Sequence, residues 1–285
     1  MIKVIKPGIY TTIQDLGRFG FSHIGVPVSG AMDTNAFKLA NAILQNEENA
    51  AVIEITFGNC EFEFSKSTYI CITGADFSAT LNGITVSLNS KIYTEKGSTL
   101  TFGKRIFGAR TYLAISGGIE IATVLKSKSF YKGITKQTHI KKGDTLPIKS
   151  NVKRKTISNA KVKFDYSLYD KTDIECFQGP EFSLLSIKQQ QELLTKIFTI
   201  SSNNSRMGYI LNEPLINNIP SMLSSGVLPG TVQLTPSGKL IILMRDCQVT
   251  GGYPRVLQLT DEVINIIAQK VTGEEVRFKI KMPLC

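Results

Sequence analysis

The sequence predicts a mainly β chain with a few capping helices, organised as two barrel-like halves. Three observations carry this. Short segments of alternating or continuous apolar residues recur along nearly the whole chain. Turn signals such as Lys96-Gly97, Gly117-Gly118, Pro236-Ser237-Gly238 and Gly251-Gly252 separate them. At about 150 residues per domain, a chain of 285 residues can hold two cores.

The elements follow in order. Asp33 is placed to cap a helix reaching about residue 45, with Ala36, Phe37, Ala40, Ile43 and Leu44 on one face. Cys60-Glu61-Phe62-Glu63-Phe64 alternates strictly and reads as a half-buried strand; residues 68–73 read as another. Asn82-Gly83 joins two short strands through residues that tolerate positive φ, which predicts a type I′ hairpin. Further strands are expected at 99–102, 111–116, 174–177, 230–234, 240–244 and 276–281. Further helices are expected near 183–196 and 261–271. Residues 151–163 carry many charges and few large apolar groups. They read as a basic linker between an N-terminal domain, 1–150, and a C-terminal domain, 164–285.

Composition narrows the function. Lys plus Arg is 33 and Asp plus Glu 23, a net charge of +10. Residues 126–163 hold twelve of those cations and one acid, Asp144, so the basic character is local. No reading helix and few aromatic residues accompany the charge, so a solvated basic loop is the leading expectation, an acidic partner protein the next, and a nucleic-acid partner the least. Five Cys without a C-x-x-C pair, and two His, point to reduced thiols and no zinc site. The first seven residues lack an apolar signal region, and the strongest apolar run, 240–244, is far below the ~20 residues that span a bilayer. A cytoplasmic protein is expected. No P-loop, G-x-S-x-G elbow or dinucleotide fingerprint occurs; the glycines of 97–104 are one residue too far apart and Arg105 follows the Lys.

Polar residues cluster where packing does not ask for them. Gln14, Asp15 and Arg18 lie within five residues after a strand, with Gly17 and Gly20 permitting tight backbone. Residues 25–33 lead to a helix N-terminus suited to an anion, although Asp33 can serve as a cap alone. Glu54 sits in the apolar run Val52-Ile53-Glu54-Ile55, as a functional acid or a satisfied structural one. In the second half, 204–209 and 245–254 are polar and glycine-rich; Arg245-Asp246 at the end of a central strand can be functional or an ion pair closing a barrel.

These clusters, in this order, resemble the allophanate hydrolase subunit 2, or biotin-dependent carboxyltransferase-like, family. The matching stretches are Thr12-Ile13-Gln14-Asp15-Leu16-Gly17-Arg18, Gly25-Val26-Pro27-Val28-Ser29-Gly30-Ala31-Met32-Asp33, Ala40-Asn41, Glu54, Gly108-Ala109-Arg110-Thr111-Tyr112-Leu113, Ser205-Arg206-Met207-Gly208, Gly230-Thr231-Val232-Gln233 and Thr250-Gly251-Gly252-Tyr253-Pro254. The chain departs from the family at Lys126-Ser127-Lys128-Ser129-Phe130, where a Gly-Ser-Arg-Ser-Thr-like loop is usual, and at Ile210, where an Arg is usual. The resemblance implies two cyclophilin-like β-barrel domains. It implies the C component of a 5-oxoprolinase, which with B-like and A-like partner proteins cleaves 5-oxo-L-proline to L-glutamate using ATP. It also leaves two alternatives: a non-catalytic regulator of a kinase-inhibitor-like partner, or a carboxyltransferase component acting on urea or a related amide. ATP belongs to the complex, and no Met-Lys biotin-attachment turn is present in the chain.

Opening a lactam or moving a carboxyl group needs cationic donors and a proton-transfer group. Arg18 and Arg206 are therefore candidate anion binders. Asp15, Asp33, Asp246 and Tyr253 are candidate acid, base or orienting groups. Gln14, Asn41, Glu54 and Gln248 are candidate substrate-binding groups.

Overall fold

The computed structural model describes residues 1–149, 162–220 and 222–281. The expected linker, 151–163, therefore lies almost wholly outside the described residues. The chain divides into two compact units, residues 1–18 with 29–165, and residues 19–28 with 166–285. Grouping of 19–28 with the second unit departs from a single cut along the sequence. Among the described residues the fold is mostly β with three α-helices.

The first unit has two sheets. One orders β11 (Thr145–Leu146), β1 (Ile2–Pro7), β4 (Cys60–Phe64), β9 (Thr99–Phe102), β6 (Thr80–Leu81) and β7 (Ile84–Thr85). The other orders β2 (Tyr10–Gln14), β3 (Val52–Thr56), β10 (Phe107–Ile115), β5 (Thr68–Asp76) and β8 (Ile92–Thr94). Strand β4 alternates buried and half-buried residues, as its sequence pattern requires. In the hairpin between β6 and β7, Asn82 and Gly83 have φ of 51° and 80°, the signature of a type I′ turn.

Helix α1 (Thr34–Leu44) packs its buried face, Ala36, Phe37, Ala40 and Leu44, on the second sheet beside Val52, Cys71, Tyr112 and Ala114. Asp33 caps it, accepting from the Ala36 amide at 3.0 Å. The Thr73 hydroxyl of β5 ties the Ala36 carbonyl to the sheet at 2.7 Å.

The second unit is a closed seven-stranded barrel in the order β12 (Asp173–Gln178), β19 (Arg255–Leu259), β16 (Thr231–Leu234), β17 (Leu240–Leu243), β14 (Gly208–Leu211), β13 (Phe198–Asn204) and β20 (Glu275–Ile280). A parallel pairing of β12 with β20 closes it. The apolar strand β17 lies between β16 and β14. A two-stranded ribbon joins β15 (Ser225–Gly226) to β18 (Thr250–Gly251). Helix α2 (Ile187–Thr195) starts later than the sequence suggests, because Ser186 and Gln189 form a capping box and residues 182–184 make a separate 3₁₀ turn. Helix α3 (Asp261–Ile267) is capped by Thr260 and carries Asp261 and Glu262 in its first turn, where the helix dipole favours acids.

Candidate functional site

Strand β2 delivers Gln14 and Asp15 to a loop that arrives from more than a hundred residues away. Asp15 is buried. Its Oδ1 accepts from the Gly17 amide at 2.8 Å and from the hydroxyls of Ser127 and Ser129, each at 2.6 Å. Its Oδ2 accepts from the Lys128 amide at 2.6 Å. The Asp15 amide in turn donates to Ser129 Oγ at 3.0 Å. Four donors on one carboxylate fix it in place and make it the clamp of the 127–129 loop. Arg18, also buried, donates from Nη2 to the Ser129 carbonyl. Gln14 Nε2 donates to Thr12 Oγ1 at 3.0 Å and reaches the Phe130 carbonyl at 3.5 Å, while the Phe130 amide donates to the Ile13 carbonyl at 2.9 Å. Gly30 (φ 90°) completes the fit: a Cβ there would meet the Leu16 and Gly17 backbone at 2.8–2.9 Å. That close approach lets the Ala31 amide bond the Asp15 carbonyl at 2.8 Å. Asp15 faces a cleft of about 480 Å³ lined also by Asn46, Asn49, Gly117 and Gly118.

Asp33 and Glu54 come together elsewhere in the same unit. Glu54 Oε2 accepts from the Met32 amide at 2.8 Å, and the Asp33 amide donates to Tyr112 Oη at 2.7 Å. Arg110 lies 4.0 Å from Glu54. Burial, and then the charges of Glu54 and Asp33, push the Tyr112 phenol well above its usual range, so it stays neutral. This buried cluster fixes the chain entering α1. Asn41 is also buried; it donates to the Ala50 carbonyl at 2.8 Å and accepts from Asn46 Nδ2 at 3.0 Å, folding the loop that walls the cleft.

In the barrel, Arg206 and Asp246 make a bidentate pair, Nε to Oδ2 at 2.8 Å and Nη2 to Oδ1 at 2.9 Å, with both side chains at most 10% exposed. The Asp246 amide bonds the Arg206 carbonyl at 2.8 Å, which sets the two residues in register. Gln248 and Tyr253 instead face a cleft of about 400 Å³, with Asn203, Ser205 and Gln233. Ile210 lines the same cleft and gives it an apolar wall. Tyr253 is 41% exposed, and its carbonyl receives Gln233 Nε2 at 3.4 Å. Cys247, next in sequence to Asp246, has its thiol pushed up to about 12 by burial and by the Asp246 charge, so it is no nucleophile near neutral pH. Among the described residues, no group of three or more His, Cys, Asp or Glu is arranged to hold a metal ion.

The structure thus joins Gln14, Asp15 and Arg18; joins Asp33 with Glu54; pairs Arg206 with Asp246; and sets Gln248 beside Tyr253. It adds Ser127, Ser129, Tyr112, Arg110 and Gln233. The signal for Gln233 is present in the sequence, a lone polar residue between Val232 and Leu234 of an apolar strand.

Residues 24–280 match the family described as carboxyltransferase domain, subdomain A and B. That is well over half of the chain, and the chain belongs to this carboxyltransferase-domain family. Within it, the chain is similar to the C subunit of 5-oxoprolinase from Escherichia coli (strain K12), 34% identical over 284 residues that make up 98% of this chain and 90% of the relative. It is similar to urea amidolyase of Saccharomyces cerevisiae, 32% identical over 228 residues, 75% of this chain but 12% of that protein. The solved structure of TTHA0988 superposes with a TM-score of 0.87 at 25% identity, covering 98% of this chain and 55% of that one. The chain therefore spans most of the bacterial protein, about half of TTHA0988 and a small part of the yeast enzyme. No helix among the described residues is long and apolar enough to cross a membrane.

Proposed function

We propose that this chain is the C subunit of a cytoplasmic, ATP-dependent 5-oxoprolinase that opens 5-oxo-L-proline to L-glutamate together with B-like and A-like subunits. The observation that carries this is the end-to-end similarity to the E. coli protein, 98% of one chain on 90% of the other. Ring opening breaks the lactam C–N bond, adds water across it, and is driven by hydrolysis of ATP, a substrate of the complex. This chain contributes binding and orientation. Tyr253 and Gln248 stand on the rim of a cleft of mixed polar and apolar lining, placed to hydrogen-bond an amide or a carboxylate. Asp246 orients Arg206. Asp15, Arg18 and Gln14 fix the 127–130 loop.

The test is reconstitution with the partner subunits and measurement of ATP turnover that depends on 5-oxoproline. Asp15→Ala, Arg18→Ala and Asp246→Ala are expected to abolish it. If all three variants, verified as folded, turn over like the wild type, these residues have no part in the reaction. A second reading, carboxyl transfer to urea or a related amide, is favoured by the family description and the yeast relative. It requires a biotinylated partner protein, and recovery of one with the tagged chain selects it. Binding of a kinase-inhibitor-like partner without any turnover selects the regulatory alternative.

A further inference from the structure

We propose that the first unit carries an oxyanion-binding cleft, built on the loop that Asp15 clamps, for the phosphate or carboxylate group of a small ligand. The cleft of about 480 Å³ has the size of a small-molecule site. Lys126, Lys128 and Lys149 all line it. Two carboxylates face it, Glu47 and Asp15, and the Asp15 carboxylate is already saturated by four donors. Asn49 also lines the cleft; its Oδ1 is taken by the Leu16 amide at 2.8 Å, so what this side chain has left to offer is its NH₂ donor. The balance of charge and donors favours an anion.

Lys126 is held there by a strained turn. Val124 and Ser127 exchange backbone hydrogen bonds at 2.8 and 3.2 Å, and between them Leu125 and Lys126 take φ of 50° and 63°. Two successive left-handed residues are usual for Asn-Gly, not for Leu-Lys. Strain of this kind persists where the surroundings enforce it, and here the enforcing contact is the Asp15 clamp one residue further on. Lys128 is further oriented by a hydrogen bond from Nζ to the Ile119 carbonyl at 3.2 Å. A loop that only closed the sheet would not need a left-handed lysine at the lip of a cleft.

The cleft lies wholly within one unit, so its binding is measurable on this chain alone and is independent of the 5-oxoprolinase reading. The experiment is calorimetric titration of the purified chain with inorganic phosphate, ATP, L-glutamate and 5-oxoproline. At least one is expected to bind at concentrations below roughly 10 mM, more weakly as salt rises. Lys126→Gln/Lys149→Gln is expected to weaken that binding by about tenfold, since each removes a charged donor. Lys149→Gln alone, outside the strained turn, guards against misfolding and is expected to weaken it by about threefold. Binding of phosphate and ATP without glutamate assigns a phosphate site; the reverse assigns a carboxylate site. Absence of binding by all four probes, or a folded double variant that binds as tightly as the wild type, overturns the proposal. Ligand binding to this chain, with no 5-oxoproline-dependent ATP turnover by the wild-type reconstituted complex, would strike the functional reading and leave this proposal standing.

Discussion

Asp15→Asn separates a clamp from a purely chemical carboxylate. The amide can sit in two orientations. One points its NH₂ at the Gly17, Ser127 and Ser129 donors, and the other points it at the Lys128 amide. The second loses fewer bonds. It leaves the part-buried Lys128 amide without its carboxylate acceptor, at a cost of about 1–3 kcal/mol. The three remaining bonds become neutral rather than charge-assisted and lose about 0.5 kcal/mol each. Removing a buried charge offsets part of this, so a net loss of about 2–3 kcal/mol is expected. The chain has no Trp and nine Tyr, so urea unfolding is followed by far-UV circular dichroism and tyrosine fluorescence. Hydrogen exchange at residues 124–130 assigns the loss to the loop, where protection should fall first. A variant within about 0.5 kcal/mol of the wild type, with loop protection unchanged, refutes the clamp.

Four further outcomes follow from the same contacts. Asp246→Ala removes the bidentate carboxylate from the buried Arg206 guanidinium and should cost about 3 kcal/mol, whereas the double change Arg206→Met/Asp246→Leu should recover most of it in a thermodynamic cycle. Leu125→Gly should relieve a left-handed side chain and raise stability by up to about 1 kcal/mol, measured as a shift of the urea midpoint at constant slope. The hydrogen bonds from Arg255 hold the Glu181 carboxyl below its usual range, so their contribution is present above the unfolded-state value, near 4.5, and is lost as pH falls through the lower folded value; Glu181→Gln should flatten the acid limb of a stability–pH curve. Cys60, Cys71, Cys176 and Cys247 are buried with raised thiol pKa values, so alkylation at pH 8, mapped by peptide mass spectrometry, should reach them only after denaturant is added.

Local pattern carried much of the fold. Strands β4 and β9 coincide with their expected bounds because a half-buried strand repeats every two residues. Helix α1 begins where Asp33 can cap it. What local pattern does not carry is pairing between distant segments. Nothing in Asp173–Gln178 announces a parallel partner a hundred residues later in Glu275–Ile280. The Leu125-Lys126 turn has neither Gly nor Asn to mark it, so the loop bearing Ser127 and Ser129 was visible as a departure from the family but not as the partner of Asp15.

The same limit governs the candidate site. Its polar residues stood out in the sequence because apolar runs surrounded them, yet that contrast does not separate groups that meet a ligand from groups that hold backbone in place. Buried geometry does. Asp33 spends its side chain on the Ala36 amide and Glu54 accepts the Met32 amide, in a cluster packed beneath α1. Groups so placed act on a substrate only by positioning the chain. Tyr253 and Gln248 have the opposite profile, exposed on the rim of a cleft whose other walls are fixed by strands β14, β16 and β17. Replacing Tyr253 with Phe should therefore leave stability nearly unchanged, because its hydroxyl is not buried, while changing turnover in the reconstituted complex. A stability loss with normal turnover would reverse the division between positioning and contacting residues drawn from burial.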